Sequence, residues 1–396
     1  MDQATNHHDT TKAVTTPLPA EGRRELALIL VLFAALRAMS AFWFQPLYSE
    51  AGEFFFPFAW LQSSGYYPFL DYWLEYPPLL AYLLVGLRAV SHAVCGAGPV
   101  AWERACFVRA VQLSSVAWET ATLALLYGLV RRTRGTRAAA RACWVYIALF
   151  ATAFAGLSYV DSFPVFLMLA GLTLAFSGRV GWSAMALAGG FMAKLIPVAL
   201  LPVTLKSNGR ARWRLAALGL FALFVVYFAA PFLATGTEWV AKSFESSARR
   251  PPWETPWALL GQRYGFGYVG PTPSEMNAGF FEKYSVQGGI QATLAAAPAE
   301  LLGEGPAARI QYFRVASRFA RDLSFIDSRS RSPWFWPVYG SVLLLVGVFY
   351  LGTFARLPAE LPPRRRVVFA AFSMVVFLLC SKGWSPQFVL YLIPLL

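Results

Sequence analysis

The sequence predicts an all-α fold, a polytopic bundle of membrane helices. Hydrophobic residues make up 57% of the 396-residue chain and charged residues only 14%, whereas soluble domains carry about 25% charged residues. Several separate apolar runs approach the roughly 20 residues that cross a bilayer. The basic residues stand in short clusters beside these runs, as in cytoplasmic membrane loops, and the sequence contains no nucleic-acid-binding motif. These observations argue against a soluble domain and against a nucleic-acid partner.

Hydropathy predicts about ten membrane helices joined by loops, and the outward loops are expected to carry juxtamembrane helices. The predicted spans are 25–45, 78–95, 106–130, 141–159, 162–178, 183–204, 213–235, 335–355, 366–380 and 385–396. The predicted regions are a disordered cytoplasmic tail (1–24), an N-terminal transmembrane module (25–235), a long extracytoplasmic loop (236–334) and C-terminal helices (335–396). The last apolar run stops at the end of the chain, so we expect either a longer natural protein or a minimal final helix.

Basic residues predict the orientation of these helices. Arg23 and Arg24 place the N-terminus in the cytoplasm. If successive spans cross the membrane in alternate directions, the first loop, the loop 236–334 and the loop 382–388 lie outside. The basic runs 206–214 and 364–366 then lie inside. The run from Arg131 to Arg141 would face outward, against the charge rule. Either the crossings before this run are miscounted, or the fold overrides the rule there.

Residues 46–77, the acidic segment, join the first two apolar runs. No Lys or Arg occurs between Arg37 and Arg88, yet the segment carries four acids: Glu50, Glu53, Asp71 and Glu75. In an outward cavity a carboxylate can accept a proton from an incoming hydroxyl, and the alternative is a solvated loop acid. Asp71 and Glu75, at i and i+4, are expected to support the loop. Tyr76 and its aromatic neighbours either anchor the segment in the membrane interface or stack on a sugar.

Three charged residues interrupt the apolar segments: Glu119, Asp161 and Lys194. Charges at mid-membrane depth cost about 2.5–3.5 kcal/mol on insertion scales, so each is a candidate functional residue. Asp161 is expected at a helix end. Lys194 either contacts a phosphate or pairs with Glu119 or Asp161.

A short polar stretch between the last two spans contains Lys382 and Gln387. Lys382 can neutralise a phosphate leaving group, and Gln387 can bond a sugar hydroxyl. A turn with a snorkelling lysine is the alternative. In the long loop, arginines at near-helical spacing favour either an amphipathic helix on anionic lipid or a solvated face; they are Arg309, Arg314, Arg318 and Arg321.

Cysteine and histidine usage argues against several chemistries. The four cysteines show no pairing pattern and no C-x-x-C motif; they are Cys95, Cys106, Cys143 and Cys380. The chain has only three histidines. A histidine-based triad, a metal site and a bound cofactor are therefore not expected.

The order of the motifs resembles a known superfamily. An acidic residue follows the first span, and then come G-x-x-P-x-x-D-x-x-x-E-Y-P-P-L, Y-x-D-S-x-P, M-A-K-L-I-P, a long loop and K-G-W-S-P-Q-F-x-L-Y-L-I-P. This order resembles the GT-C superfamily of polyprenyl-phosphate-sugar-dependent glycosyltransferases. It is most similar to family 87 and related mannosyltransferases, and the resemblance covers nearly the whole chain.

The resemblance implies a transfer with inversion on the non-cytoplasmic face of the plasma membrane. A metal need not be involved, since the leaving group carries one phosphate and the sequence shows no His/Asp cluster. A hexose, mannose by the family's usage, is implied to pass from a polyprenyl-phosphate donor to a glycolipid, polysaccharide or protein acceptor. The family's base is an acid just beyond the first helix, usually Asp, and Glu50 matches this position best, followed by Glu53. The leaving phosphate needs positive charge, from Lys382, Lys194 or an outer-loop arginine. The candidate substrate-binding residues are Asp71, Glu75, Tyr76, Asp161, Lys194, Lys382 and Gln387.

Two other classes of function are weighed against the enzyme. A transporter or flippase of a lipid-linked sugar typically has internal repeats and interrupted helices in matching halves. The sequence shows no convincing repeat, and its acids concentrate in one loop. A non-catalytic scaffold leaves the buried charges without a role. The sequence therefore favours the glycosyltransferase.

Overall fold

The computed structural model describes residues 20–43, 51–56, 59, 69, 76–235, 252, 255–261, 332–383 and 386–395. These residues form an all-helical bundle, as the sequence predicts. The helices are α1 (Ala20–Trp43), α2 (Pro78–Cys95), α3 (Val100–Arg134), α4 (Thr136–Ala148), α5 (Phe150–Ser158), α6 (Ser162–Phe176), α7 (Val180–Ala193), α8 (Leu201–Leu205), α9 (Ala211–Thr235), α10 (Pro256–Leu260), α11 (Phe335–Arg356), α12 (Pro363–Cys380) and α13 (Val389–Leu392). Single helical turns occur at Ala51–Phe55, Ile196–Leu200, Pro386–Phe388 and Ile393–Leu395.

Within these described residues, five helices are long and apolar enough to cross a membrane: α1, α2, α3, α9 and α11. The bent pair α4 and α5 makes a sixth when it is counted as one span. The protein is therefore a multi-pass membrane protein. Each of the ten predicted spans overlaps a helix, but several of these helices are short. The 15 residues of α6 extend only about 22 Å, less than the roughly 30 Å of a bilayer core, and the count of ten remains a prediction.

Helix breaks follow proline, glycine and charge. Pro78 opens α2, where a missing N–H costs little. Gly135 has φ +88°, which glycine adopts without strain, and it turns α3 into α4. The axes of α4 and α5 differ by 61°. Lys194 ends α7 in an extended conformation, so the predicted span 183–204 is two short helical pieces.

Helix α1 already begins at Ala20, inside the segment 1–24 that the sequence predicts to be disordered. Ala, Glu and Arg among residues 20–24 favour helix. Most of the predicted loop 236–334 lies outside the described residues, including its four arginines at near-helical spacing. The part described contains α10, whose first turn is capped by Thr255.

Contacts between α1 and α3 define the two ends of the bundle. The Tyr127 hydroxyl lies 3.5 Å from the carbonyl oxygen of Gly22, while Arg109 donates to the carbonyl of Phe42 at 3.3 Å. The two helices are therefore antiparallel. We call the end where α1 begins and α3 finishes the basic end, and the other the opposite end. The first nine residues of the 35-residue α3 extend past α1 by about 13 Å.

The basic runs meet at the basic end. Arg132 bonds the hydroxyl of Ser177, just after α6. Arg366 donates to the carbonyl of Ala175, in the last turn of α6, at 3.3 Å. Lys206 donates to the carbonyl of Leu357, just after α11, at 2.9 Å. The run 131–141 therefore shares an end with Arg23 and Arg24, contrary to the alternation predicted from ten crossings.

The miscounted crossing is α2, because both of its ends lie toward the opposite end. Its last residue, Cys95, is disulfide-bonded to Cys106 in the second turn of α3. Near its start, the Tyr82 ring lies 5.9 Å from the ring of Phe232, at the far end of α9 from its basic first turn. The helix thus passes the length criterion for a span but packs beside the protruding part of α3.

This disulfide forms although the cysteines show no pairing pattern in the sequence. Cys95 and Cys106 stand in different helices, and only the sharp turn between α2 and α3 brings their Cα atoms to 6.5 Å. Cys143 and Cys380 are free thiols.

Sided labelling tests this arrangement of ends. A cysteine replacing Arg137, which is exposed at the basic end, should react with a membrane-impermeant maleimide only after the membrane is opened. A cysteine replacing Pro333, exposed just before α11 at the opposite end, should react in intact cells. Wild-type protein measures background from Cys380. Equal labelling of both variants in intact cells contradicts the arrangement.

Candidate active site

A buried ion pair joins three helical segments near the opposite end. Asp161, which is 0% exposed, accepts from the Lys194 ammonium and from the Tyr391 hydroxyl, each at 2.7 Å and on the same oxygen, Oδ1. Asp161 precedes α6, Lys194 follows α7, and Tyr391 lies in α13. We call these three residues the Asp161 cluster.

The positions of the two charges match the helices that carry them. Asp161 stands at the N-terminus of α6, where unsatisfied N–H groups favour a negative charge. Lys194 stands at the C-terminus of α7, where unsatisfied carbonyls favour a positive charge. Pro197, three residues later, prevents an ordinary continuation of α7. Each break therefore supplies a helix end that stabilises the charge beside it.

Two aromatic rings flank the lysine. Its ammonium lies 5.2 Å from the ring centroid of Tyr76 and 5.5 Å from that of Phe388, within the range of cation–π attraction. The lysine side chain keeps 12% of its surface exposed. The ammonium is thus held by a carboxylate and two rings but is not sealed off.

The Asp161 cluster unites motifs that are far apart in the chain. Tyr76 belongs to E-Y-P-P-L, Asp161 to Y-x-D-S-x-P, Lys194 to M-A-K-L-I-P, and Phe388 and Tyr391 to S-P-Q-F-x-L-Y. Asp161 and Tyr391 are 230 residues apart. Every motif that carries the sequence resemblance between residues 65 and 394 therefore contributes a side chain to one place.

The cluster retains a polar atom with no hydrogen-bond partner among the described residues, the second carboxylate oxygen of Asp161, Oδ2. Buried polar groups are normally hydrogen-bonded to protein or water. This oxygen can therefore accept from a ligand hydroxyl or from ordered water.

A second buried ion pair lies deeper in the bundle. Arg37 lies 3.3 Å from Glu119 and donates to Thr152 at 2.5 Å. The Glu119 carboxylate occupies the space beside Gly156, because a Cβ there would stand 1.8 Å from its Oε1 atom. Of the partners considered for Lys194, the structure therefore selects Asp161, while Glu119 ties α3 to α1.

Three of the four acids of the acidic segment lie outside the described residues: Glu50, the first candidate base, and Asp71 and Glu75. Glu53 belongs to the helical turn Ala51–Phe55, and its side chain is also outside. The turn itself packs close to the cluster, since the Phe55 ring lies 5.2 Å from the ring of Tyr76. One aromatic contact thus separates the start of the acidic segment from the ring over Lys194.

The polar stretch before α13 divides between two places. Lys382 lies with its ammonium 5.2 Å from the ring of Trp336 in α11, and its carbonyl accepts from Thr255 at 3.0 Å. Gln387 is buried at 6% exposure, next to Phe388 and hence beside the Asp161 cluster. Of Lys382 and Gln387, only Gln387 is next in the chain to a residue that contacts Lys194, namely Phe388.

Sequence reasoning missed Tyr391 and Arg37. Tyr391 sits in an apolar run, where an aromatic residue reads as lipid-facing or core. Its one signal was the need of a buried Asp161 for a second donor. Arg37 was noted only as a border of the base-free stretch, although a charge inside an apolar helix is itself a signal.

Comparison with known proteins finds no family model, no curated protein and no solved structure that matches this chain.

Replacing Lys194 by Met should leave Asp161 buried without its counter-charge. We expect the free energy of unfolding to fall by about 3–5 kcal/mol, measured by denaturant or thermal unfolding in detergent. The double variant K194M/D161N should recover much of this loss. As a matched control, Lys382→Met should change stability by less than about 1 kcal/mol. Equal losses in K194M and K382M contradict the role of the ion pair.

Adding a methyl group at Gly156 should disturb the second ion pair. Gly156→Ala places Cβ against Glu119, and we expect a loss of about 1–3 kcal/mol in the free energy of unfolding. The control is Gly128→Ala in α3, where a Cβ meets no atom within 4 Å. That variant should be unchanged or more stable by up to about 1 kcal/mol. An equal change in the free energy of unfolding for both variants contradicts the close packing of Glu119 on Gly156.

Proposed function

We propose that the protein is an integral membrane glycosyltransferase that moves a hexose, mannose in the first instance, from a polyprenyl-phosphate donor to an acceptor hydroxyl. The observation that carries the proposal is the Asp161 cluster. It gathers side chains from separated motifs around one partly exposed lysine at the opposite end of the bundle. The proposed architecture is a GT-C-like bundle of about nine spans, the ten predicted ones without α2, in which α6, α7 and α12 serve as short or tilted crossings.

The basic end is proposed to face the cytoplasm. The runs 131–141, 206–214 and 364–366 meet there with Arg23 and Arg24, as the positive-inside rule requires. The 15 residues of α6 then put Asp161 about 22 Å from that surface, in the outer third of a bilayer core of about 30 Å. A lipid phosphate at the outer interface could reach Lys194 there, with its polyprenyl chain remaining among the helices.

The proposed base is a carboxylate of the acidic segment, Glu50 first and Glu53 second. It takes the proton of the acceptor hydroxyl while that oxygen attacks C1 of the sugar, opposite the lipid phosphate. Attack from that face inverts the configuration. The contact between Phe55 and Tyr76 supports this assignment, because it holds the turn that contains Glu53 near the ring over Lys194.

Lys194 is proposed to stabilise the leaving phosphate. Its ammonium exchanges part of its contact with Asp161 for a phosphate oxygen, while Tyr391 keeps its bond to Asp161. Positive charge placed where negative charge develops is a large term in catalysis. Asp161 Oδ2, Gln387 and Tyr76 are proposed to contact the sugar, and Lys382 is available nearer the membrane surface. The chemistry of the donor requires no metal or cofactor.

Transport of a lipid-linked sugar is the second candidate. One observation favours it: the helix interrupted at Lys194 resembles the broken helices that bind substrates in transporters. The acidic segment beside it fits transfer better, because a transporter does not need a base.

A transfer assay in membranes decides between them, with radiolabelled polyprenyl-phosphate mannose as donor. Glu50→Gln, or Glu53→Gln if Glu53 is the base, should lower transfer by about 100-fold or more. Lys194→Met should lower it by a similar factor, and Lys382→Met by less. Full transfer by both glutamine variants would contradict the assignment of Glu50 or Glu53 as the base. Movement of the donor across the bilayer without any transfer establishes the transporter.

A further inference from the structure

The hairpin between α2 and α3 is fastened at its tip. The disulfide joins Cys95 and Cys106, and the Trp102 indole donates to the carbonyl of Cys95 at 3.3 Å. Glu103 lies in the first turn of α3. It pairs with Arg88 of α2. We call Arg88, Cys95, Glu103 and Cys106 the clasp.

The clasp reaches the acidic segment through Arg88. Arg88 is 7% exposed, and its guanidinium lies 5.7 Å from the ring centroid of Phe56. The Phe56 ring also packs against Phe107, the residue after Cys106, at 5.7 Å. Phe56, which is 0% exposed, is thus enclosed between the two helices that the disulfide joins.

The turn before Phe56 is seated on the same helix. A Cβ on Gly52 would stand 3.1 Å from Val108 and 3.3 Å from Arg104, so the backbone here lies directly on α3. The turn's other face meets Tyr76 through Phe55. Residues 51–56 are therefore held between the clasp and the Asp161 cluster, and Glu53 lies at the centre of that stretch.

We infer that the clasp is a positioning device for the acidic segment, and that it works only when the disulfide is closed. The inference rests on the proposed function for its catalytic consequence. The clasp fixes α2 against α3, this contact fixes Phe56, and Phe56 fixes the turn Ala51–Phe55, which carries Glu53, the second candidate base, and directly follows Glu50, the first. Reduction of the disulfide leaves Arg88 and Glu103 as the remaining link and loosens the seat of Phe56.

The location of the clasp agrees with this dependence. Disulfides persist in oxidising compartments, and Cys95 lies at the opposite end, away from every basic run described above. The clasp therefore closes only after this end has reached the non-cytoplasmic side. The base is held in place in the compartment where the proposed donor and acceptor meet.

Hydrogen exchange tests the clasp without any assay of activity. Reducing the folded wild-type protein in detergent should speed amide exchange in peptides covering 51–56 by about threefold or more, as expected for a segment moving toward local opening. The variant C95S/C106S should exchange at the fast rate with or without reductant. The control C143S/C380S, which removes the two free thiols, should behave as wild type. Unchanged exchange at 51–56 on reduction overturns the inference.

Kinetics then separate positioning from general stability. Reduced wild type should lose about tenfold in kcat, because a displaced base costs transition-state contacts, while KM for the lipid donor stays the same. A rise in KM with constant kcat, or an equal loss in C143S/C380S, contradicts positioning. If the wild type transfers no sugar at all, the proposed function fails, and the exchange experiment still decides the clasp.

Discussion

The ion pair between Asp161 and Lys194 is the interaction on which the rest of this bundle depends. Each charge stands at a helix break, and a break inside a membrane exposes backbone groups that lipid cannot satisfy. The two breaks solve this problem together, because the N-terminus of α6 favours Asp161 and the C-terminus of α7 favours Lys194. Tyr391 then draws the last described segment onto the pair. This contact therefore joins the ends of α6 and α7 to α13.

The electrostatics of the acidic segment also follow from pairing elsewhere. The arginines that border the base-free stretch are both neutralised by glutamates of α3: Arg37 by Glu119 and Arg88 by Glu103. Neither border therefore offers a free positive charge to the four acids between them. An anionic ligand must then be met by a cation from another part of the chain. Lys194, whose side chain is 12% exposed, meets this segment through the ring of Tyr76.

Local signals in the sequence predicted some of these features and not others. Pro77 and Pro78 predict the start of α2, and the charge of Lys194 inside an apolar run predicts a functional or paired residue. Each of these predictions depends only on the residue itself and not on its neighbours in the folded structure. The partner of Lys194 depends on which helix ends meet, so Glu119 and Asp161 were indistinguishable in the sequence. The disulfide was missed because it joins different helices across a turn that composition does not reveal. The base itself stays a prediction, as Glu50 and the Glu53 side chain lie outside the described residues.

The alternation of membrane crossings and the positions of the basic residues give conflicting predictions for the side of the run 131–141. Counting α2 as a crossing reversed every later helix and sent the run 131–141 outward. The 35 residues of α3 extend about 52 Å, well beyond a bilayer core of about 30 Å, so its first turns lie past the end of α1. These protruding turns give α2 a surface to pack on without crossing, and the Cys95–Cys106 bond fastens it there. Length and hydropathy report only that a helix is able to span. The positions of arginines and of an oxidised cysteine pair report the side on which its ends lie, and here both give the same answer.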